Sequence, residues 1–314
     1  MFGCDGLRTG SSRKGRGPDV RDPDGSVWSN RPLHLEGVLT KESCTMIAIA
    51  AALLSAIAPN CAPVPGAGRL WQPETRWVIV GEMHGTNESP DAFANLVCLA
   101  SATGRPVTVA VEYTSDDQPA IDAFLASDGS PAARAVLLRL FLFTSKFQDG
   151  RGSVAFMRLF ERLRILKQAG RIDGVIASDV GRATSEGQER NAAMAQTWTG
   201  IAAPNDAIIL AYVGNLHAMR KPIVIGDRTI VPAGAIMPVK RTVTINIDGN
   251  GGNAWNCQDD GCRSHDNGDS HPAASAITYS TAADRQWDAT YELGVPTTAA
   301  LPANGTSATA APSN

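Results

Sequence analysis

The sequence predicts an α/β fold, in which a mostly parallel sheet is flanked by helices and a helical insertion caps the carboxyl ends of the strands. Short runs rich in Val, Ile and Ala alternate with segments whose apolar residues recur at helical spacing. The runs are apolar throughout, which is typical of strands buried on both faces of a parallel sheet. Acidic, amide or histidine residues follow four of them, at the sheet edge where α/β proteins bind ligands.

The strands and helices are predicted in alternation along the chain. Four buried strands are expected at residues 77–80, 107–111, 175–178 and 207–213. The insertion follows the second strand and consists of the segments with helical periodicity near 117–127, 131–143 and 152–169. The remaining elements are helices at 91–102 and 185–200 and later strands at 242–247 and 289–293.

Length and composition limit the possible domain organisation and the possible binding partners. The chain has 314 residues, of which 43% are hydrophobic, and we expect a single α/β domain over residues 70–303. The net charge of -3 offers no basic surface, which argues against nucleic acid and leaves a small molecule as the expected partner. Residues 304–314 have no core-forming side chains and are expected to be a disordered tail.

The N-terminal region predicts export from the cytoplasm. Residues 1–45 are polar and rich in Gly and Pro, and we interpret them as a mis-called or disordered extension. Residues 46–62 hold an apolar run too short to span a bilayer, which is typical of a signal peptide; a buried core helix is the alternative. Small residues place cleavage after Ala58 or after Ala62. We therefore expect a periplasmic or secreted product, with no stable membrane span after signal cleavage.

The cysteines agree with an oxidising compartment. Cys257 and Cys262 lie close together in a loop rich in Gly, Asn and Asp, where a disulfide is expected. Unpaired thiols are one alternative, and a zinc site that adds His265 and His271 is another, although the histidine spacing is loose for a zinc finger. Cys98 falls within an apolar helical pattern and is expected to be a core residue.

The residues at the strand ends carry the predicted chemistry. A carboxylate beside an imidazole can fix its tautomer and raise its basicity, so that the other ring nitrogen takes a proton from water. His84 is the expected base, with Glu82 beside it and Glu112 across the strand tips. His217 is expected to be a second acid/base or to hold the substrate.

Two further segments are expected to face the same cleft. Arg190 opens the helix after the third strand, where it could bind a carboxylate or phosphate or stabilise an oxyanion; a surface pair with Glu186 is the alternative. The polar turn before the helix at 152–169 is either a substrate-side loop or an N-cap formed by Ser153. The residues predicted to bind substrate are Asn87, Glu88, Asp149, Arg151, Asp179, Asn191 and Asn215.

These residues resemble the motifs of one superfamily. The segment 81–88 (Gly-Glu-Met-His-Gly-Thr-Asn-Glu), with Glu112, Arg190-Asn191 and Gly214-Asn215-x-His217, is similar to the superfamily of erythromycin esterases, ChaN-type haem-binding proteins and TraB/TIKI proteases. The resemblance implies a shared α/β fold with both histidines and the glutamates in one cleft. Its esterase branch implies His84 as base, oriented by Glu82 and Glu112. Its protease branch implies a divalent metal held by His84, Glu112 and His217.

The resulting expectation is an exported hydrolase that activates water with a His/Glu cluster and cleaves an ester-like bond. One alternative is a hydrolase or protease that depends on a divalent metal. Another is an exported haem- or iron-binding protein that uses the same cleft, and a third is a degenerate cleft that only binds a partner. No metal or other cofactor is assigned from the sequence.

Overall fold

The domain is built on a seven-stranded sheet, described here from a computed structural model that covers residues 61–180 and 188–305. Neighbouring strands are parallel except β10 and β11, and the order across the sheet is β10-β11-β7-β1-β4-β2-β3. In chain order the strands of the described residues are β1 (Trp77–Glu82), β2 (Val107–Thr114), β3 (Gly174–Asp179), β4 (Ile208–Gly214), β5 (Ile223–Ile225), β6 (Arg228–Ile230), β7 (Thr242–Asp248), β8 (Asn253–Gln258), β9 (Gly261–Asp266), β10 (Ala276–Tyr279) and β11 (Ala289–Glu292).

Helices flank this sheet, which confirms the predicted fold class. The described helices are α1 (Glu88–Ser101), α2 (Gln118–Leu125), α3 (Pro131–Leu137), α4 (Phe141–Thr144), α5 (Val154–Gln168), α6 (Gln188–Gly200), α7 (Asn215–Ala218) and α8 (Ala233–Ile236). Short 3-10 turns occur at Ala67–Trp71, Ser115–Asp117 and Val239–Arg241. No helix in 61–180 or 188–305 has the length and apolar character needed to cross a membrane.

The apolar runs form strands because both faces of the sheet are covered. On one face, Phe93 of α1 stacks on Tyr212 of β4 with ring centroids 4.3 Å apart, and Phe156 of α5 lies 5.8 Å from the same ring. On the other face, Trp198 of α6 is fully buried, and its carbonyl accepts a hydrogen bond of 3.0 Å from the Trp77 indole. Burial on both sides explains why these strands show no alternation of polar residues.

The insertion between β2 and β3 contributes both to the core and to the strand ends. Helix α5 packs against α1 and α2 on one face of the sheet. The turn before it extends over the strand ends, where the Tyr113 hydroxyl donates a hydrogen bond of 2.5 Å to the Arg151 carbonyl. Ser153 caps α5 by accepting a hydrogen bond from the Phe156 amide. The N-cap considered from the sequence is therefore present, and the same turn lies over the strand ends, while its role beside a substrate stays a prediction.

Some predicted elements differ from the structure. The helix expected over 131–143 is divided into α3 and α4. The hairpins β5–β6 and β8–β9 and the edge strand β10 were not predicted. Their residues are short runs with many exposed positions, and they therefore lack the apolar pattern by which the central strands were recognised.

Both disulfides of the described residues fix local structure. Cys257 and Cys262 are bonded across the β8–β9 hairpin, which confirms the predicted disulfide and takes both sulfurs away from the alternative zinc site. Cys98 is buried as expected, but it is also bonded to Cys61. The side chain of Asn95 reinforces this connection, because it exchanges hydrogen bonds of 2.8 and 2.9 Å with the backbone of Ala62.

The predicted extension 1–45, most of the predicted signal peptide 46–62 and most of the tail 304–314 lie outside the described residues. Cys61 and Ala62, assigned to the signal segment from the sequence, belong to the folded domain through their contacts with α1.

Candidate active site

Four adjacent strands bring the predicted groups to one edge of the sheet. In the order β1-β4-β2-β3, the carboxyl ends carry Glu82, Gly214, Glu112 and Asp179. Because β4 lies between β1 and β2, the segments that follow β1 and β4 both approach Glu112. The structure therefore joins residues far apart in the sequence into one hydrogen-bonded cluster.

Glu112 is the centre of this cluster. One carboxylate oxygen accepts hydrogen bonds from Arg151 Nη1 at 2.8 Å and Arg190 Nη2 at 2.6 Å. The other accepts the backbone N–H of Gly214 at 2.6 Å. The side chain is only 4% exposed. Burial alone would raise its pKa, but the charges of Arg151 and His84 hold the pKa well below its ordinary value. Glu112 is therefore a carboxylate at neutral pH.

His84 lies between two carboxylates. Its Nδ1 is 2.5 Å from Glu82 Oε1, and its Nε2 is 3.4 Å from Glu112 Oε2. Burial lowers the pKa of His84, but the charges and hydrogen bonds of Glu82 and Glu112 outweigh burial and raise it to about 10. The ring is therefore protonated at neutral pH. This differs from the base expected from the sequence, since a protonated ring has no lone pair to accept a proton from water.

His217 has the opposite environment. Asn191 Oδ1 accepts the backbone N–H of Ala233 at 2.9 Å, which fixes the orientation of the amide, and lies 2.8 Å from His217 Nδ1. This network assigns the proton to Nδ1 and leaves the lone pair on Nε2, which faces Arg190 Nη1 at 3.0 Å. Burial lowers the pKa of His217 against the attraction of Glu112, so the ring is neutral at neutral pH.

Arg190 connects β3 and α6 to the centre. Its Nε and Nη2 donate hydrogen bonds of 2.8 and 2.6 Å to the two oxygens of Asp179. Glu186, the partner considered in the surface alternative, lies outside the described residues. The guanidinium is instead one-quarter exposed and held by Asp179 and Glu112.

The turn before α5 supplies Asp149 and Arg151. Arg151 donates to Asp149 from its backbone N–H and Nε, at 3.1 Å each, as well as to Glu112. Gly150 has a φ of 95°, and a Cβ there would lie 2.2 Å from the Cα of Gly85. Only a residue without a side chain permits this contact, which places Arg151 beside the turn that carries His84.

The cluster has more negative than positive formal charge. Its cationic groups are Arg151, Arg190 and the protonated His84. Its carboxylates are those of Glu82, Glu112, Asp149 and Asp179. Four carboxylates against three cations leave one negative charge, so both arginines are already neutralised by the protein.

Three predicted substrate-binding residues lie outside this network. Asn87 and Glu88, at the start of α1, bind the segment near Thr298 through hydrogen bonds of 3.1 and 2.6 Å to its hydroxyl. The backbone carbonyl of Asn215 accepts the indole N–H of Trp287 at 3.2 Å. Their role in substrate binding stays a prediction.

Tyr212 and the backbone of Ala233 also contact the cluster, and neither was predicted. The Tyr212 hydroxyl and Glu82 Oε2 are both buried, and Tyr212 lies beside Glu82. Burial and the Glu82 charge raise the pKa of Tyr212 well above its ordinary value. In the sequence, Tyr212 lies within an apolar strand and Ala233 within an ordinary loop. No sequence pattern therefore indicated that either residue belongs to the site.

The site does not fit the metal or haem implied by parts of the superfamily. A metal on His84, Glu112 and His217 would need their lone pairs on a common centre. One Glu112 oxygen already binds two guanidinium groups, and the two ring nitrogens of His84 each face a carboxylate oxygen, of Glu82 and of Glu112. His217 Nε2 faces Arg190 Nη1, so neither imidazole offers an open nitrogen to a haem iron.

Comparison with known proteins shows which known fold this architecture resembles. No protein-family model and no curated protein sequence matches the chain. Among solved structures, a mutant of the erythromycin esterase EreC in its open conformation superposes with a TM-score of 0.54 and 10% identity, covering 74% of this chain and 93% of that one. The chain has an erythromycin esterase-like fold. The resemblance predicted from the strand-end motifs is thus confirmed at the level of the fold.

Two other neighbours align less closely. A ChaN of Campylobacter jejuni with cofacially bound haem has a TM-score of 0.37 and 12% identity, covering 58% of this chain and 84% of that one. A structure of bacterial protein toxins has a TM-score of 0.39 and 18% identity over 63% of this chain. The chain spans only 39% of the length of that toxin chain.

Proposed function

We propose that this protein is a metal-independent hydrolase that cleaves an ester-like bond in a small-molecule substrate. One arrangement carries the proposal: two imidazoles face the same carboxylate, and their surroundings move their pKa values in opposite directions. His84 Nε2 lies 3.4 Å and His217 Nε2 3.8 Å from oxygens of Glu112. Environments that drive two pKa values apart are the usual basis for separate acid and base roles.

In the proposed reaction, His217 is the base and His84 the acid. His217 Nε2 takes a proton from water as the water oxygen attacks the carbonyl carbon. The bond to the leaving oxygen then breaks, and His84 donates its proton to that oxygen. The products are an acid and an alcohol, and the proton on His217 returns to His84 through solvent.

Arg190 has two tasks in this scheme. At rest its Nη1 occupies the His217 lone pair, so the attacking water has to displace it. The guanidinium is 26% exposed, which gives it room to move. Once displaced, its N–H groups can stabilise the oxyanion, while Asp179 keeps the group at the site.

The charge of the cluster limits the substrate. Arg151 and Arg190 are matched by carboxylates, and one negative charge is left over. A phosphate or carboxylate at the reacting bond would add to that excess and be repelled. We therefore propose a substrate that is neutral or cationic there, rather than the anionic ligand considered for Arg190 from the sequence.

Export belongs to the same proposal. The two disulfides are typical of an oxidising compartment, and the apolar run within residues 46–62 has the character of a signal peptide. We propose that the enzyme acts in the periplasm or outside the cell.

The test is hydrolysis of a panel of p-nitrophenyl esters and amides, including neutral, cationic and anionic acyl groups. We expect turnover of the neutral or cationic esters that EDTA does not affect and that His84→Gln and His217→Gln abolish. His265→Gln is the matched control, because His265 also pairs with a carboxylate, Asp260, on the β8–β9 hairpin, but is not part of the cluster around Glu112. Loss of activity with EDTA, or full activity in both active-site variants, would contradict the proposal, as would inactivity on every ester.

A further inference from the structure

A second group of ionisable residues lies at the same sheet edge but on other strands. Asp248 ends β7 and Glu292 ends β11, and they are partners in the parallel register of these two strands. His271, from the segment between β9 and β10, joins them. One ligand atom from each of the three residues lies within 4.8 Å of the others. Three segments distant in sequence thus bring an imidazole and two carboxylates together.

Asn250 holds the two carboxylates in place. Its backbone N–H donates to Asp248 Oδ1 and its Nδ2 donates to Glu292 Oε2, both at 3.3 Å. Its own Oδ1 accepts the N–H of Gly294 at 2.7 Å, which fixes the orientation of the amide. The side chain is 2% exposed and the backbone has a φ of 55°. Outer groups that orient ligands in this way are characteristic of metal sites.

The balance of charge differs from that of the active site. There, two arginines neutralise the central carboxylate. In the part of the chain that the structure describes, no Lys or Arg forms an ion pair with Asp248 or Glu292, and the group that faces Glu292 is the partly exposed His271 imidazole at 3.7 Å. Two negative charges without a matching guanidinium or ammonium are suited to a divalent cation.

The cluster is also accessible. A cavity of about 630 Å³ adjoins it and is lined by Asn250, Ser270, His271, Pro272, Gly294 and Pro296, among others. An ion bound by three protein ligands at its edge would keep a coordination position open to water or a ligand.

We propose that Asp248, His271 and Glu292 form a binding site for one divalent transition-metal ion, with Zn²⁺ the best match to one nitrogen and two oxygen ligands. From the sequence, His271 was considered as a zinc ligand together with Cys257 and Cys262. In this proposal it binds the metal together with two carboxylates instead. This site is separate from the proposed hydrolytic cluster and does not depend on the reaction assigned there.

The test is equilibrium dialysis of the full chain against Zn²⁺ with metal analysis, after alkylation of Cys4 and Cys44, which lie outside the described residues. We expect one saturable ion per chain and an affinity at least about tenfold lower in His271→Ala and Glu292→Gln, with a smaller loss, of about tenfold at most, in Asn250→Ala. Co²⁺ spectra of the same proteins report directly on nitrogen and oxygen ligation.

Two control variants locate the ion. His265→Ala and His217→Gln should both bind Zn²⁺ as the unmodified chain does, because each removes a histidine from another part of the domain. Circular dichroism confirms that each variant is folded, and Asp248→Asn replaces either ligand variant, His271→Ala or Glu292→Gln, if that variant is not. Absence of saturable binding, or unchanged affinity in His271→Ala and Glu292→Gln, overturns the proposal. So does loss of the ion in either control variant.

Discussion

Raising the pH should destabilise the folded protein through His84. The pKa of this ring is about 10 in the fold, against an ordinary value of 6.5. A group whose pKa is raised by folding contributes its full stabilisation below the unfolded value, and that contribution is lost as the pH rises through the folded value. The stabilisation by His84 should therefore be complete below pH 6.5 and absent above about pH 10.

The magnitude follows from the same contacts. At about 1.4 kcal/mol per pKa unit, the shift corresponds to at most about 5 kcal/mol. The ring is 20% exposed, so water screens part of the attraction to Glu82 and Glu112. We expect a loss of about 2–5 kcal/mol across this range.

Urea unfolding followed by tryptophan fluorescence measures this loss at a series of pH values. His84→Gln is the comparison, because other groups titrate in the same range and their effects are common to both proteins. The difference between the two proteins should shrink as the pH rises. Parallel stability curves would refute the reasoning, as would a pKa near 6.5 for the His84 ring in an NMR titration.

Other predictions concern the cluster and the disulfides. The kcat/KM on a reporter ester should rise as His217 loses its proton below pH 6.5 and fall near pH 10 as His84 does; a profile without the alkaline fall would contradict the acid role. Glu112→Gln should lower the free energy of unfolding by about 3 kcal/mol, the lower end for a broken buried ion pair, because both arginines keep a second carboxylate; urea unfolding measures it. Asn191→Ala should reduce kcat by about 10²-fold with little change in KM, because it releases the His217 ring; steady-state kinetics would show a normal kcat if Asn191 is not needed. Cys98→Ser should cost about 2–4 kcal/mol, since the bond closes a loop between residues 37 positions apart; thermal unfolding with and without reductant tests this, and equal stability would contradict it.

The central strands could be predicted because strands that are buried on both faces consist mainly of apolar residues. Trp77–Glu82 is buried along its whole length, and such strands must be apolar on both faces. The β5–β6 hairpin has no such requirement, since Val224 and Ile225 are largely exposed. The order of the strands in the sheet could not be predicted from the sequence, because an apolar strand fits several positions in a sheet equally well.

The location of the active-site residues was predictable, but their protonation states were not. A polar group after each buried strand has to emerge at the same edge, which brings Glu82, Glu112 and His217 together. Whether an imidazole is charged depends on distances of a few ångströms to groups from other strands. His84 was expected to be a base with Glu82 and Glu112 nearby, but the sequence did not show that both carboxylates face the same ring, 2.5 and 3.4 Å from its two nitrogens. Asn87 lies close to His84 in the sequence, but it begins a helix and binds a different segment.

The bond between Cys61 and Cys98 has a consequence for maturation. A peptidase that cut after Ala62 would discard Cys61 and leave Cys98 with an unmatched thiol in an oxidising compartment, where such thiols cross-link chains. A cut after Ala58 keeps both sulfurs on one polypeptide. Under the proposed export, trimming should therefore stop upstream of Cys61, and the disulfide to Cys98 would tie the new amino terminus to α1.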